Sequence, residues 1–355
     1  MVSLHNDISY MKKGKSFILG LFLLQLISFI SCDGKEEKAE IANLEAEKKV
    51  RVIFDTDANN ELDDQFALIY LLSNGQTFDL EGVTVNATKS GGDIQGHYDE
   101  AKRILQLGLS FEKIPLLKGG NGSFAEIQSQ VKSGKYDSQD AVDFIVDQAN
   151  SENPNELILL AVGKLTNVAL ALEKDPNISS KMRVVWLGSN YPKPGEYNQE
   201  NDTVSMNFVL NTQVPFEMVT VRYGEPSGTD AVKVTQAEIN AEMPGLGPQI
   251  ETPIVGRHGG EFGTFGDYAV NLFEHIEYHG DPPSRALFDL VGVAILKNPL
   301  WGEKREIPTP ILINNQWVER PDNPRKIILW ENFERDSIIK DLYSSLKNFQ
   351  SVNPK

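Results

Sequence analysis

The stretch from Val52 to Leu68 limits what this chain can become more than any other. Val50, Val52, Ile53 and Phe54 form the β-branched and aromatic run of an inner parallel strand covered on both faces. Phe66, Ala67, Ile69, Tyr70 and Leu72 then recur at helical spacing, so a strand passes through a turn into a helix. Four aspartates stand around that turn: Asp55, Asp57, Asp63 and Asp64. Alternate residues of an extended chain share a side, so Asp55 and Asp57 can enter one crevice. Asp63 and Asp64 fall where a helix begins, an ordinary place for a capping aspartate. Capping accounts for one or two acids, but not for four. Carboxylates that close repel one another and resist ionisation unless a cation sits among them. Oxygen-only ligands suit a hard ion, so a Ca²⁺ or Mg²⁺ site is expected here.

Beyond this stretch, strand-like and helix-like segments alternate, which predicts an α/β fold. Strands are expected at 80–86, 157–162, 183–188, 310–313 and 326–329. Helices are expected at 98–107, 141–149, 168–172, 267–277, 288–296 and 335–346. The polar stretch 189–202 reads as a loop. The segment 224–266 is rich in Gly and Pro and weakly periodic, as lids and binding loops often are. In sheets of this kind ligands bind at the carboxyl ends of the strands, where Asp55, Asn86, Val162 and Ser189 fall. The expectation is one domain over 50–349, an open, mostly parallel sheet flanked by helices with lid-like insertions.

The formal net charge of -16 argues against nucleic-acid partners and anionic membrane surfaces, which recruit basic patches. A small neutral ligand is indifferent to that charge. The N-terminal region has its own logic. Lys12, Lys13 and Lys15 precede an apolar run from Phe17 to Ile30, and the single cysteine, Cys32, follows. That order reads as an export signal over 1–32 with Met11 as the natural start, and the apolar run is short for a membrane span. Cys32 resembles the lipidated cysteine of a bacterial lipobox, with Phe29 bulkier than usual three residues before it. Residues 33–49 read as a solvated tether. The expected location is therefore outside the cytoplasm, in the periplasm or at the cell surface, with membrane contact only through a lipid on Cys32.

Several landmarks then coincide in order. Asp55-Thr56-Asp57 with Leu62-Asp63-Asp64, Val162-Gly163-Lys164-Leu165-Thr166-Asn167, Trp186-Leu187-Gly188, Asn207 in Ser205-Met206-Asn207-Phe208, and Phe288-Asp289 together resemble the inosine–uridine-preferring nucleoside hydrolases. The resemblance runs from Val50 to Leu346. It implies a calcium-dependent hydrolase that splits the N-glycosidic bond of ribonucleosides into ribose and base, in nucleoside salvage. Carried over, the calcium ligands are Asp57, Asp64, the carbonyl of Val162 and Asp289. Asp57 takes a proton from the attacking water. Asp63, Asn86, Asn198, Glu200 and Asn207 are candidates to bind the ribose. Homo-oligomers, dimers or tetramers, are common in the family.

Three departures accompany the resemblance. Five residues separate Asp57 from Asp63 where the family has three, and an alignment without a gap puts Asn59 in the place of the water-activating aspartate. The family's glutamate two residues before the ribose asparagine is Ser205 here, which leaves Glu196 or Glu200 to serve. Phe288 stands where many members place a base-protonating histidine, so His258, His279 and Arg285 are the candidates for helping the leaving group. Two rival readings keep the site and change its use. One is a non-catalytic sugar- or nucleoside-binding lipoprotein; the other is a glycosidase of this fold acting on another pentoside or glycan.

Overall fold

The computed structural model describes residues 49–352. The export signal, Cys32 and the tether up to residue 48 lie outside the described residues. In chain order the strands are β1 (Val50–Thr56), β2 (Phe78–Val85), β3 (Leu116–Lys118), β4 (Leu157–Ala161), β5 (Met182–Leu187) and β6 (Phe216–Val219). Short strands β7 (Lys233–Thr235), β8 (Ile254–Val255), β9 (Glu261–Phe262) and β10 (Ser284–Ala286) follow. The last are β11 (Glu303–Pro308), β12 (Ile311–Ile313), β13 (Gln316–Val318) and β14 (Lys326–Glu331). Eight of them form one sheet in the order β11-β14-β6-β5-β4-β1-β2-β3. Every neighbouring pair is parallel except β11 with β14.

That order decides where a ligand goes. From β1 the chain steps outward to β2 and β3, then returns to β4 on the other side of β1 and continues to β5 and β6. Connections therefore diverge at the carboxyl ends of β1 and β4, which opens a crevice there. Asp57 follows β1 and Val162 follows β4, so both stand at its floor.

β1 is buried because it is central. Val52 and Phe54 join the core on one face of the sheet, and Ile53 joins the core on the other. The helix Asp63–Leu72 that follows is buried on every side. Its Phe66 lodges between the rings of Phe265 and Phe273, with edge-to-face centroid distances of 5.2 and 5.7 Å. Rings held this way are worth ~3–5 kcal/mol each, so the helix carrying Asp63 and Asp64 is a rigid platform.

Differences from the expected elements have local causes. The strand expected at 310–313 divides: β11 joins the main sheet before it, and β12 turns back on β13 as a separate hairpin. Residues 189–202 hold a short helix, Tyr197–Asn201, begun by Glu196, whose carboxylate accepts from the amides of Asn198 and Gln199 at 3.0 and 2.8 Å. The helix expected at 288–296 starts at Leu290, which leaves Phe288 and Asp289 at its mouth. The segment 224–266 is irregular between short elements, among them the helix Gln236–Glu242.

Candidate functional site

At the β1/β4 crevice lies a cavity of about 140 Å³ lined by Asp57, Asp63, Asp64 and Asp289 together with Val162 and Asn198. Carboxylate oxygens of Asp63, Asp64 and Asp289 lie within 4.8 Å of one another, and all three residues are buried. This trio includes Asp63, and Asp57 lines the same cavity. Asp289 arrives from more than two hundred residues downstream. It occupies the position before the helix Leu290–Lys297, yet its side chain makes no capping bond. Leu62 precedes the helix Asp63–Leu72, and no side chain caps that helix either. Capping therefore explains none of the three acids.

Burial is the main electrostatic fact. It raises Asp64 to about 6 and Asp63 to about 8, the latter also through the charge of Asp64. Asp57 and Asp289 are pushed well above the usual carboxylate range by burial and then by their acidic neighbours. Asp64 is steadied by a short bond from the Thr56 hydroxyl. Asp57 Oδ2 is buried without a hydrogen-bond partner. Oxygen donors that repel one another, one of them orphaned, fit a hard divalent cation, and this cluster can hold one.

Asp55 does not share the crevice. Its carboxylate lies beneath, where it accepts from Thr84 Oγ1 at 2.6 Å, Asn167 Nδ2 at 2.7 Å and Asn86 Nδ2 at 3.0 Å. Asn86 is accordingly a support for Asp55 and is absent from the cavity wall. Room between this layer and Asp57 is short: a Cβ on Gly163 would meet Asp57 Oδ1 at 2.6 Å and Asn86 Oδ1 at 3.1 Å. Only glycine fits there.

The loop 58–62 joins Asp57 to the helix Asp63–Leu72. Asn59 turns away: its amide N–H reaches His97 Nδ1 at 3.2 Å and its Nδ2 reaches the Gly91 carbonyl at 2.8 Å. Asp57, not Asn59, lines the cavity. The fully buried Gln65 holds the loop from below, donating to the carbonyls of Ala58 and Glu61 at 2.8 and 3.3 Å. Above, the loop spans the mouth. Asn60 Oδ1 accepts from Ser90 Oγ at 3.0 Å, and Ser90 in turn meets the Tyr197 hydroxyl. Glu61 forms a close ion pair with Arg285.

The ribose-binding candidates divide. Asn198 lines the cavity and donates Nδ2 to the carbonyls of Val162 and Leu187 at 2.7 and 3.1 Å. Glu196 lines it too, two residues earlier, with its carboxylate held by the amides of Ser189, Asn198 and Gln199. Asn207 is elsewhere. Its amide pairs with both backbone groups of Leu312, at 2.8 and 3.1 Å, and so secures the β12–β13 hairpin. Glu200 points outward and accepts from Asn315 Nδ2 at 3.1 Å. A glutamate and an asparagine spaced by two, Glu196 and Asn198, thus line the cavity together, a spacing visible in the sequence. Asn198→Ala is expected to lower kcat/KM at least ~10-fold. Asn207→Ala is expected to lower Tm while leaving the kcat/KM of the folded protein within about twofold, a contrast that parallel steady-state and melting measurements check.

The leaving-group candidates do not line the cavity. His258 stacks on His275 with ring centroids 4.5 Å apart and accepts from Arg257 Nε. Arg285 is committed to Glu61, and His279 Nε2 lies 2.9 Å from Arg285 Nη1. Tyr197, Tyr223, Asn60 and Glu61, which residue pattern alone does not single out, are in the wall with Phe288.

Residues 52–320 match the family model described as inosine-uridine preferring nucleoside hydrolase. Uridine nucleosidase 1 of Arabidopsis thaliana is 23% identical over 227 residues, 59% of each chain. Probable uridine nucleosidase 2 of Oryza sativa subsp. japonica is 42% identical over 73 residues, 20% of each chain. The matched stretches thus span less than two thirds of these curated relatives. A purine-preferring ribonucleoside hydrolase from Gardnerella vaginalis superposes with a TM-score of 0.64 at 17% identity, over 84% of this chain and 98% of the other. The plant nucleoside hydrolase PpNRh1 does so with a TM-score of 0.63 at 17% identity, over 84% and 99%. At such identities the likeness establishes the fold.

Proposed function

The chain belongs to the inosine–uridine preferring nucleoside hydrolases, and from that premise we propose that it hydrolyses the N-glycosidic bond of ribonucleosides with the help of calcium, releasing ribose and free base. The observation that carries this reading is the meeting of Asp57, Asp63, Asp64 and Asp289 in one buried crevice. Asp57, Asp64, Asp289 and the Val162 carbonyl would hold the ion; that carbonyl already accepts from Asn198 and keeps a second lone pair. A divalent ion there supplies the charge that lets the acids ionise together and depresses the pKa of a water it binds.

The chain's own groups do the rest. Asp57 takes a proton from the attacking water in this reading, which its one oxygen free of protein partners supports. Asp63 and Asn198, both in the cavity wall, would meet the sugar hydroxyls, and the carboxylates favour the positive charge that develops on the ring in an oxocarbenium-like state. A cavity of about 140 Å³ has room for a sugar ring and falls short of the ~300 Å³ at the lower end of small-molecule pockets. The aglycone would thus sit toward the mouth.

Ribose release from a panel of purine and pyrimidine nucleosides, with calcium and after chelation, tests the reading. Calcium-dependent release is expected. Binding without release would favour a non-catalytic sugar-binding protein, and release confined to other pentosides would favour a glycosidase of another specificity.

A further inference from the structure

Tyr223 is an aromatic residue that is 46% exposed, yet it lines the cavity beside the acidic cluster. Its position is over-determined. Arg222, the residue before it, has φ +49, a left-handed backbone state that a non-glycine residue keeps only when its surroundings hold it there. The Arg222 guanidinium holds that state by donating to the Tyr191 carbonyl at 3.0 Å, Ser227 Oγ at 3.0 Å and Glu331 Oε2 at 2.7 Å. Next along, the Tyr223 amide donates to Asn190 Oδ1 at 3.0 Å, and Asn190 is itself fastened to the carbonyls of Pro194 and Gly195. The ring stands edge-on to Phe288 at 5.7 Å and 89°, so it is one ring away from Asp289. Its phenol lies near Glu196, Asp63 and the backbone amide of Tyr197; although nearly half of the residue is exposed, desolvation at this end and the charge of Glu196 push the phenol up, so it stays protonated. Among the described residues the hydroxyl makes no side-chain hydrogen bond. Phe288 offers no proton, Tyr197 is tied to Ser90, Glu61 to Arg285, and the Asn198 amide to two carbonyls.

We propose that Tyr223 is the hydrogen-bond donor to the departing aglycone, and that with Phe288 it forms the aromatic seat for a planar ring. The assignment rests on the glycosidase reading given above. When the bond between the anomeric carbon and the aglycone nitrogen breaks, the bond pair stays on nitrogen, and the phenol O–H stabilises that charge. The water oxygen adds to the carbon and its proton passes to Asp57; the base takes its own proton from solvent, to which Asp57 returns one. No cosubstrate is needed.

The experiment is Tyr223→Phe assayed on nucleosides and on p-nitrophenyl riboside, whose nitrophenolate departs without a donor. Expected is a loss in kcat of roughly 10²-fold on nucleosides, with the nitrophenyl substrate changed by less than about threefold. Equal losses on both substrates, or no loss on either, overturn the role of Tyr223. A wild-type protein that cleaves neither substrate overturns the glycosidase reading itself, and this assignment with it, before any variant is made.

Discussion

Asp57→Asn is expected to lower kcat on a cleavable nucleoside by at least roughly 10³-fold, about 4 kcal/mol of transition-state stabilisation. The substitution keeps the shape of the side chain and removes both its basicity and its charge. Asp57 is the cavity acid whose Oδ2 has no protein partner, so the isosteric amide breaks no hydrogen bond at that oxygen. Because removing one negative charge also relieves repulsion among Asp63, Asp64 and Asp289, the variant is expected to melt no lower than wild type without cation. Steady-state kinetics beside thermal melting checks both halves. An Asp57→Asn protein that keeps a tenth of the wild-type kcat would remove this residue from the chemistry and reopen the role of the acids around it.

The second large effect concerns stability. Burial raises Asp64 to about 6 and Asp63 to about 8 in the folded chain, whereas an unfolded aspartate titrates near 3.8. Between those limits the folded state binds more protons than the unfolded state. The cation-free protein therefore loses stability as pH rises from about 4 to about 8. A bound divalent ion favours the ionised carboxylates and cancels that loss. The melting difference between calcium-loaded and chelated protein should thus widen with pH. Asp64 alone, displaced by about two units, contributes roughly 3 kcal/mol. At ~2–4 °C per kcal/mol for a domain somewhat smaller than this one, the gap should be ~5–10 °C at pH 8 and less than about half of that at pH 5. A difference of equal size at both values, or none at either, would mean that the acidic cluster is not where the cation binds.

The strand–turn–helix with its acids was legible in the sequence because everything that defines it is local. The hydrophobic run, the change of period and the acids lie within one short stretch, and a central strand must be apolar on both sides. Two other strands of the sheet, the edge strand β11 and the interior strand β6, were not legible, each for its own reason. β11 reads Glu303-Lys304-Arg305-Glu306 before Ile307, since an edge strand needs little burial, and no apolar pattern marks it. β6 is only Phe216–Val219, too short to show a period. The two asparagines show a different limit. Asn198 and Asn207 each suit a ribose contact as residue types, and what separates them is Leu312, more than a hundred residues later, which takes both ends of the Asn207 amide. His258 and His279 likewise look available in sequence, but their partners Arg257, His275 and Arg285 occupy them in space. Tyr223 carries no motif at all. It enters the cavity wall because a turn after β6 holds Arg222 in a left-handed state.

The way the described chain begins and ends has a practical corollary. β1 starts at Val50, whose amide meets the Thr77 carbonyl just before β2, and near the other end Gln350 pairs with Gly75 and Asn74 in the same turn. Both sites belong to the amino-terminal pole of the parallel strands, opposite the carboxyl-terminal pole that carries the acids. A bead, a surface or a fusion partner joined directly at residue 49 or residue 352 would therefore grip the back of the described domain and leave its working entrance facing outward.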